Sequence, residues 1–211
     1  MKTRLLATAL VGALAFAAYE DPAAKDAAAA TAAVGKPAPA FALIDSTGKK
    51  HALADYAGKT VVLEWNNPEC PFVKKHYGAG NMQAQQRAAT AAGVVWLTIN
   101  SSADGKQGHM DAAQAQATRT RLGAAQSAYL FDPQGSVGRA YAAKTTPHMY
   151  IIDGRGLLRY AGAIDSNPSS DPGDIAAATQ YVPKALAELK AGKPVSVALT
   201  RPYGCSVKYA D

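Results

Sequence analysis

Dense apolar runs along the chain alternate with longer stretches in which alanine dilutes the pattern. Thr60 to Trp65 (TVVLEW) is β-branched and apolar, the composition of a central strand covered on both faces. Val94 to Asn100 (VVWLTIN) predicts a second such strand and Ala128 to Phe131 a third. Between and after them the spacing predicts helices. One covers Phe72 to Ala92, with a break at Gly78 and Gly80. A second covers His109 to Leu122 and ends at Gly123, and a short one follows the Asp132-Pro133-Gln134-Gly135 turn through Tyr141. His148 to Asp153 and Leu157 to Ala161 flank Gly154-Arg155-Gly156 and read as a hairpin. Ile175 to Lys190 reads as a terminal helix kinked at Pro183. Near the start, Pro37 and Pro39 fix an extended entry. Phe41 to Ile44 and His51 to Leu53 then form strands around a Ser46-Thr47-Gly48-Lys49 turn. After this opening hairpin the order is β-α-β-α-β-α-β-β-α. It predicts an α/β domain with a largely parallel sheet, right-handed crossovers and an antiparallel hairpin at one side.

The first residues follow a different rule. Lys2 and Arg4 precede an uncharged apolar run of 14 residues, Leu5 to Ala18, and Ala15-Phe16-Ala17 offers small residues where a signal peptidase reads. That run falls short of the roughly 20 residues needed to span a bilayer. The division is therefore a signal peptide over 1–17, an alanine-rich linker over 18–33 and a single domain over 34–211 ending in a cysteine-containing tail. This places the protein outside the cytoplasm, periplasmic or secreted, with no stable membrane insertion after cleavage.

Charge narrows the partners. The chain has 22 basic and 16 acidic residues, a net charge of +6. Loss of Lys2 and Arg4 leaves 20 against 16, or +4, scattered along the chain. Without a basic run or a basic stripe interleaved with aromatics, nucleic acid is excluded as a partner.

Candidate chemistry rests on two cysteines, Cys70 and Cys205. Cys70 stands where a buried strand ends and a helix begins, with Pro71 suited to the first helical turn. Unpaired N–H groups and the positive end of the helix dipole stabilise a thiolate there, and the thiolate is the nucleophile. Lys74 and Lys75, one turn in, add to the effect if they face the sulfur. A cysteine at such a corner, behind Asn-Asn-Pro-Glu, is less easily buried than a core cysteine. Glu69 next to it would accept a proton or, through its charge, raise the thiol pKa. Two cysteines allow one intramolecular pairing and exclude a four-cysteine zinc site. His76 and His148, with Met149 and Cys70, offer a Cys/His/Met set that would suit a copper-handling role, since soft ligands favour Cu(I). Asp165, Asp171 and Asp174 lack calcium-loop spacing and read as a solvated loop.

The stretch VVLEWNNPECPFVKKHY resembles the active-site strand, loop and helix of the thioredoxin superfamily. It is most similar to the redoxin, or alkyl hydroperoxide reductase/thiol-specific antioxidant, family, in a peroxiredoxin-like branch. VGKPAPAFALIDSTGKKHALADYAGK resembles that family's opening hairpin and TTPHMYIID its cis-proline strand, and GAIDSNP and PYGCSVKY extend the likeness to the C-terminus. The resemblance implies a thioredoxin-like fold, a central mixed β-sheet flanked by helices with an N-terminal β-hairpin extension. It implies a cis Thr146–Pro147 peptide facing Cys70, in a loop that offers backbone groups to a substrate. It also implies a thiol-dependent oxidoreductase without a cofactor, acting on a peroxide or a disulfide and reset by an external thiol reductant. Two positions depart from the pattern. Val73 replaces the second cysteine of Cys-x-x-Cys, and Asn67 stands where peroxiredoxins carry threonine or serine. Cys205 is then either a resolving thiol for oxidised Cys70 or half of a permanent structural disulfide in a non-catalytic binding module.

Overall fold

A computed structural model describes residues 31–211. The leader over 1–17 and nearly all of the 18–33 linker lie outside the described residues. Nine strands and five α-helices follow. The strands are β1 (Ala42–Asp45), β2 (Lys50–Ala52), β3 (Val61–Trp65), β4 (Val95–Asn100), β5 (Ala128–Phe131), β6 (Thr145–Thr146), β7 (His148–Ile152), β8 (Leu158–Gly162) and β9 (Cys205–Ser206). The helices are α1 (Pro71–Gly78), α2 (Asn81–Ala91), α3 (Ala112–Leu122), α4 (Ser136–Ala140) and α5 (Tyr181–Lys190).

Seven strands form one sheet in the order β2-β1-β5-β4-β3-β7-β8, and β6 pairs with β9 in a separate two-stranded ribbon. Side chains alternate between faces along a strand, so β3 feeds two cores. Val61, Leu63 and Trp65 pack with Leu97, Ile99, Leu130, Tyr141 and Tyr150 on one face. Val62 packs with Trp96, Met149, Ile151 and Tyr160 on the other, beneath Val73 and Tyr77 of α1, Met82 of α2 and Val182 of α5. Cys70 belongs to the second core.

The sheet corrects the largely parallel expectation. Only two of its six adjacent pairings, β3–β4 and β4–β5, are parallel. The opening hairpin joins the β5 edge through β1, and the closing hairpin lays β7 antiparallel against β3. Helix bounds also shift. The break expected within Phe72–Ala92 is present, with Gly80 at a left-handed φ of 73° between α1 and α2. The second expected helix starts at Ala112 rather than His109. Asp111 caps it by accepting from the Gln114 amide at 2.8 Å. The terminal helix starts at Tyr181 rather than Ile175, after a 3-10 turn over Pro172–Ile175. Pro183 therefore falls in its first turn, where a missing N–H costs nothing, and produces no kink.

Candidate active site

Cys70 is the N-cap of α1, with Pro71 at the first helical position. Its amide donates to the Asn67 carbonyl at 3.1 Å and its carbonyl accepts from the Lys74 amide at 2.9 Å, which fixes the corner. The Thr146–Pro147 bond is cis. Thr146 faces the cysteine, and the Cys70 thiol donates to its carbonyl at 3.0 Å.

The C-terminal tail closes the site. Read as turn-like, it instead forms β9, in which Cys205 pairs with Thr146 and Ser206 with Thr145. The Cys205 amide donates to Cys70 Sγ at 3.4 Å. Both thiols are free. The expectation that this corner resists burial is overturned, because Cys70 is 0% exposed. Cys205 stays half-buried.

Burial alone would raise the Cys70 thiol, but donors outweigh it and hold the thiol below its ordinary value. They are the Cys205 thiol and the amides of Cys205 and Val73. Cys205 moves the other way, to about 11. Burial raises it first, and its hydrogen bond to Cys70 and the charge there raise it further. Of the two sulfurs, Cys70 is therefore the one whose surroundings favour the thiolate.

Neither lysine expected to help takes part. Lys75 is buried and donates from Nζ to the carbonyls of Asn167 at 3.2 Å and Ser169 at 3.0 Å. Lys74 is exposed on a different face of α1, lining a cavity with Arg119 and Arg121. Glu69 is exposed. The Asn67 side chain is spent within its loop, accepting from the Glu69 amide at 2.9 Å and donating to the Gln107 carbonyl at 3.3 Å. His148 lies on the other face of the sheet against Tyr150.

Several residues that hold the site carried little sequence signal. The Tyr203 ring meets Phe72 edge to face at 5.8 Å, and its hydroxyl donates to Asp165. Read as part of a solvated loop, Asp165 is instead 1% exposed. His76 donates from Nε2 to the Tyr203 oxygen at 3.2 Å and accepts at Nδ1 from Asn81 at 2.9 Å. That network needs a neutral ring, and burial lowers its pKa to about 4, with Lys75 lowering it further and Asp165 opposing. Glu64 lies deeper, 0% exposed on β3. It accepts from Asn66, Tyr77, Gln86, Trp96 and Thr98, tying α1 and α2 to the central strands.

Gly204 lets the tail approach. Its φ is 132°, and a Cβ there would stand 2.1 Å from the Thr146 carbonyl oxygen. Gly204→Ala should therefore unseat the tail and speed alkylation of Cys70 by iodoacetamide by about tenfold or more. An unchanged rate would show that the tail does not shield the thiol.

Among the described residues, no helix is long and apolar enough to cross a membrane. An uncharacterized conserved protein from Geobacillus kaustophilus superposes with a TM-score of 0.71 at 28% identity, over 84% of this chain and 93% of that one. A hypothetical protein from Sinorhizobium meliloti 1021 gives 0.71 at 22% identity, over 85% and 96%. A putative thiol:disulfide interchange protein DsbE from Chlorobium tepidum gives 0.50 at 26% identity, over 62% of this chain and 85% of that one. The AhpC/TSA family model matches residues 34–161, which include Cys70 and Pro147 and stop short of the tail. That match spans more than half of the chain and coincides with the strand, loop and helix that carry the thiol, so the protein belongs to the AhpC/TSA family of thioredoxin-fold, thiol-disulfide-oxidoreductase-like redoxins.

Proposed function

We propose that the protein is an exported thiol-dependent oxidoreductase that cycles between a Cys70/Cys205 dithiol and a Cys70–Cys205 disulfide. The observation that carries this reading is the seating of Cys205 on Cys70 through its own amide at 3.4 Å. The Cys70 thiolate attacks a peroxide, releasing the alcohol or water and leaving a sulfenic acid. Alternatively it attacks a disulfide, releasing one thiolate and leaving a mixed disulfide. Either product removes the negative charge on Cys70 that, with burial and the hydrogen bond between the two sulfurs, raises the Cys205 thiol to about 11. Cys205 then ionises more readily and attacks Cys70 Sγ, expelling water or the second thiolate. An external thiol reductant returns both sulfurs to thiols. With Asn67 turned away, the donors at the sulfur are backbone amides and the Cys205 thiol, a set that suits oxygen or sulfur leaving groups alike. Export rests on the charged and apolar pattern of the first 17 residues.

Treating the reduced protein with one equivalent of hydrogen peroxide, or separately of a disulfide-bonded peptide, should remove two hydrogens from the intact mass. Proteolysis should then link the peptides that carry Cys70 and Cys205. Cys205→Ser should stop after the first step, with a sulfenic acid or a mixed disulfide on Cys70. A parent protein that never forms the link sinks the cycle. A link with a potential below about −300 mV would mark a structural bond instead.

A further inference from the structure

We propose that the cavity between α1 and α3 binds a small organic anion, with a carboxylate at one end, an apolar body and an oxygen acceptor at the other end. The cavity holds about 250 Å³, sized for a ligand smaller than a drug molecule. Lys74, Arg119 and Arg121 stand exposed around it. None of the three forms an ion pair among the described residues. Three cations at one cavity, without an anion of their own, suit a carboxylate, whose plane a guanidinium matches.

Beneath the cations the walls are apolar. They include Val73, Leu122 and the rings of Tyr77 and Tyr129. Both tyrosine hydroxyls are engaged elsewhere. Tyr77 donates to Glu64 at 2.8 Å, and Tyr129 accepts from Asn100 at 3.1 Å. The Asn66 side chain, also in the wall, donates to Glu64 at 2.8 Å. Gln126 is the exception. It is 3% exposed, lines the cavity, and its side chain makes no hydrogen bond among the described residues. Its Oε1 is sealed from the surface, whereas Nε2 is not, so the amide nitrogen is the end that opens on the cavity. A nearly buried donor without a partner marks where a ligand oxygen sits. Positive charge at the rim, rings and aliphatic side chains below it and one neutral donor inside describe an aryl or alkyl carboxylate with a hydroxyl or carbonyl at its far end. The site stands apart from the disulfide cycle. Asn66 and Pro68, in the loop that leads to Cys70, border it, but Cys70 turns to Thr146 and does not line it. The ligand is held beside the active-site loop and is not the molecule that is oxidised or reduced.

The test titrates the reduced full protein with 4-hydroxyphenylacetate, with phenylacetate, which lacks the hydroxyl, and with 4-(2-hydroxyethyl)phenol, which lacks the charge. Binding is followed at the backbone amide signals of Gly78 and Ala124 in the cavity wall. The signals should saturate with 4-hydroxyphenylacetate at a Kd of about 1 mM or tighter, the scale of a ligand with roughly ten heavy atoms. It should bind about tenfold tighter than the neutral phenol at low ionic strength and lose that lead as salt rises. It should bind about fivefold tighter than phenylacetate. Replacing both arginines, Arg119→Gln with Arg121→Gln, should bring the charged and neutral probes within about twofold of each other. Lys193→Gln, an exposed control outside the cavity, should keep the charge preference. Gln126→Leu should erase the gain from the hydroxyl and keep the charge preference. Both arginines are exposed, so their arm stands even where Gln126→Leu disturbs the fold. Signals that never saturate, charged and neutral probes of equal affinity, or a charge preference that survives the loss of both arginines overturn the site. A hydroxyl gain that survives Gln126→Leu overturns the inner donor and with it the far-end acceptor of the ligand. No arm forms or breaks a disulfide, so a failure of the cycle leaves every outcome unchanged.

Discussion

Cys70→Ser should leave a folded protein whose thiol-dependent turnover has fallen by a thousandfold or more, an order of magnitude set by the loss of a covalent nucleophile. The reason is local. Serine keeps the size of the buried side chain, and its hydroxyl can donate to the Thr146 carbonyl as the thiol does. Stability should therefore move by only about 1 kcal/mol or less. What disappears is the one group whose ionisation the amides of Cys205 and Val73 favour. Peroxide or disulfide consumption, measured beside thermal unfolding, separates the two outcomes. Lost turnover with an unchanged melting temperature supports the catalytic reading. A large fall in stability, with no turnover in the parent protein, would make the pair a structural staple. Thiolate absorbance against pH adds a second readout. The parent should show one ionisation below the ordinary thiol value and one near 11. In the serine variant the remaining Cys205 ionisation should move down from about 11 while burial keeps it raised, because the hydrogen bond and charge that add to burial came from Cys70.

Much of this site was legible in the chain because its signals are local. TVVLEW and VVWLTIN carry their strand character in their composition, and the junction before Pro71 marks a helix start wherever the rest of the chain lies. The parts that escaped depend on partners far away in sequence. Nothing in Pro202-Tyr203-Gly204-Cys205 reveals a two-residue strand, since its ladder is made with Thr145 and Thr146. Asp165 sits among serines, prolines and glycines, the composition of a solvated loop. It is buried because Tyr203 and Lys75 converge on it from two other segments. The lysines were misplaced for a related reason. Sequence puts both one turn from the thiol, but rotation about the helix axis turns Lys75 toward the 167–169 carbonyls and Lys74 toward solvent.

Glu64 is the residue whose chemistry the apolar strand pattern hid, and replacing it should produce the largest change in stability. Its carboxylate accepts from the Asn66 and Gln86 amides, the Tyr77 and Thr98 hydroxyls and the Trp96 indole, all inside the core. Glu64→Leu keeps most of the volume but removes every acceptor. Gln86 and Tyr77 still have each other at 2.9 Å, whereas the Trp96 N–H is left buried with nothing to bond. The expected cost is about 3–5 kcal/mol, from several buried donors left unpaired at about 1–3 kcal/mol each. For a domain of this size that corresponds to a melting temperature lower by roughly 6–20 °C. Glu64→Gln retains one acceptor oxygen and should lose less, about 1–3 kcal/mol. pH separates charge from shape. Burial raises the Glu64 pKa above its ordinary 4.5 in the folded state, although the hydrogen bonds from Trp96, Asn66, Tyr77 and Gln86 oppose the rise. Between the unfolded and folded values the native protein binds more protons than the unfolded one. The contribution of Glu64 to stability therefore falls as pH rises through that window and grows as pH drops back. Urea midpoints followed from neutral pH toward 4.5 should show this component in the parent and not in Glu64→Gln. If Glu64→Leu unfolds at the parent's midpoint, the five contacts do not hold α1 and α2 to the sheet. The corner that presents Cys70 would then owe its rigidity to the apolar packing of Val73 and Tyr77 alone.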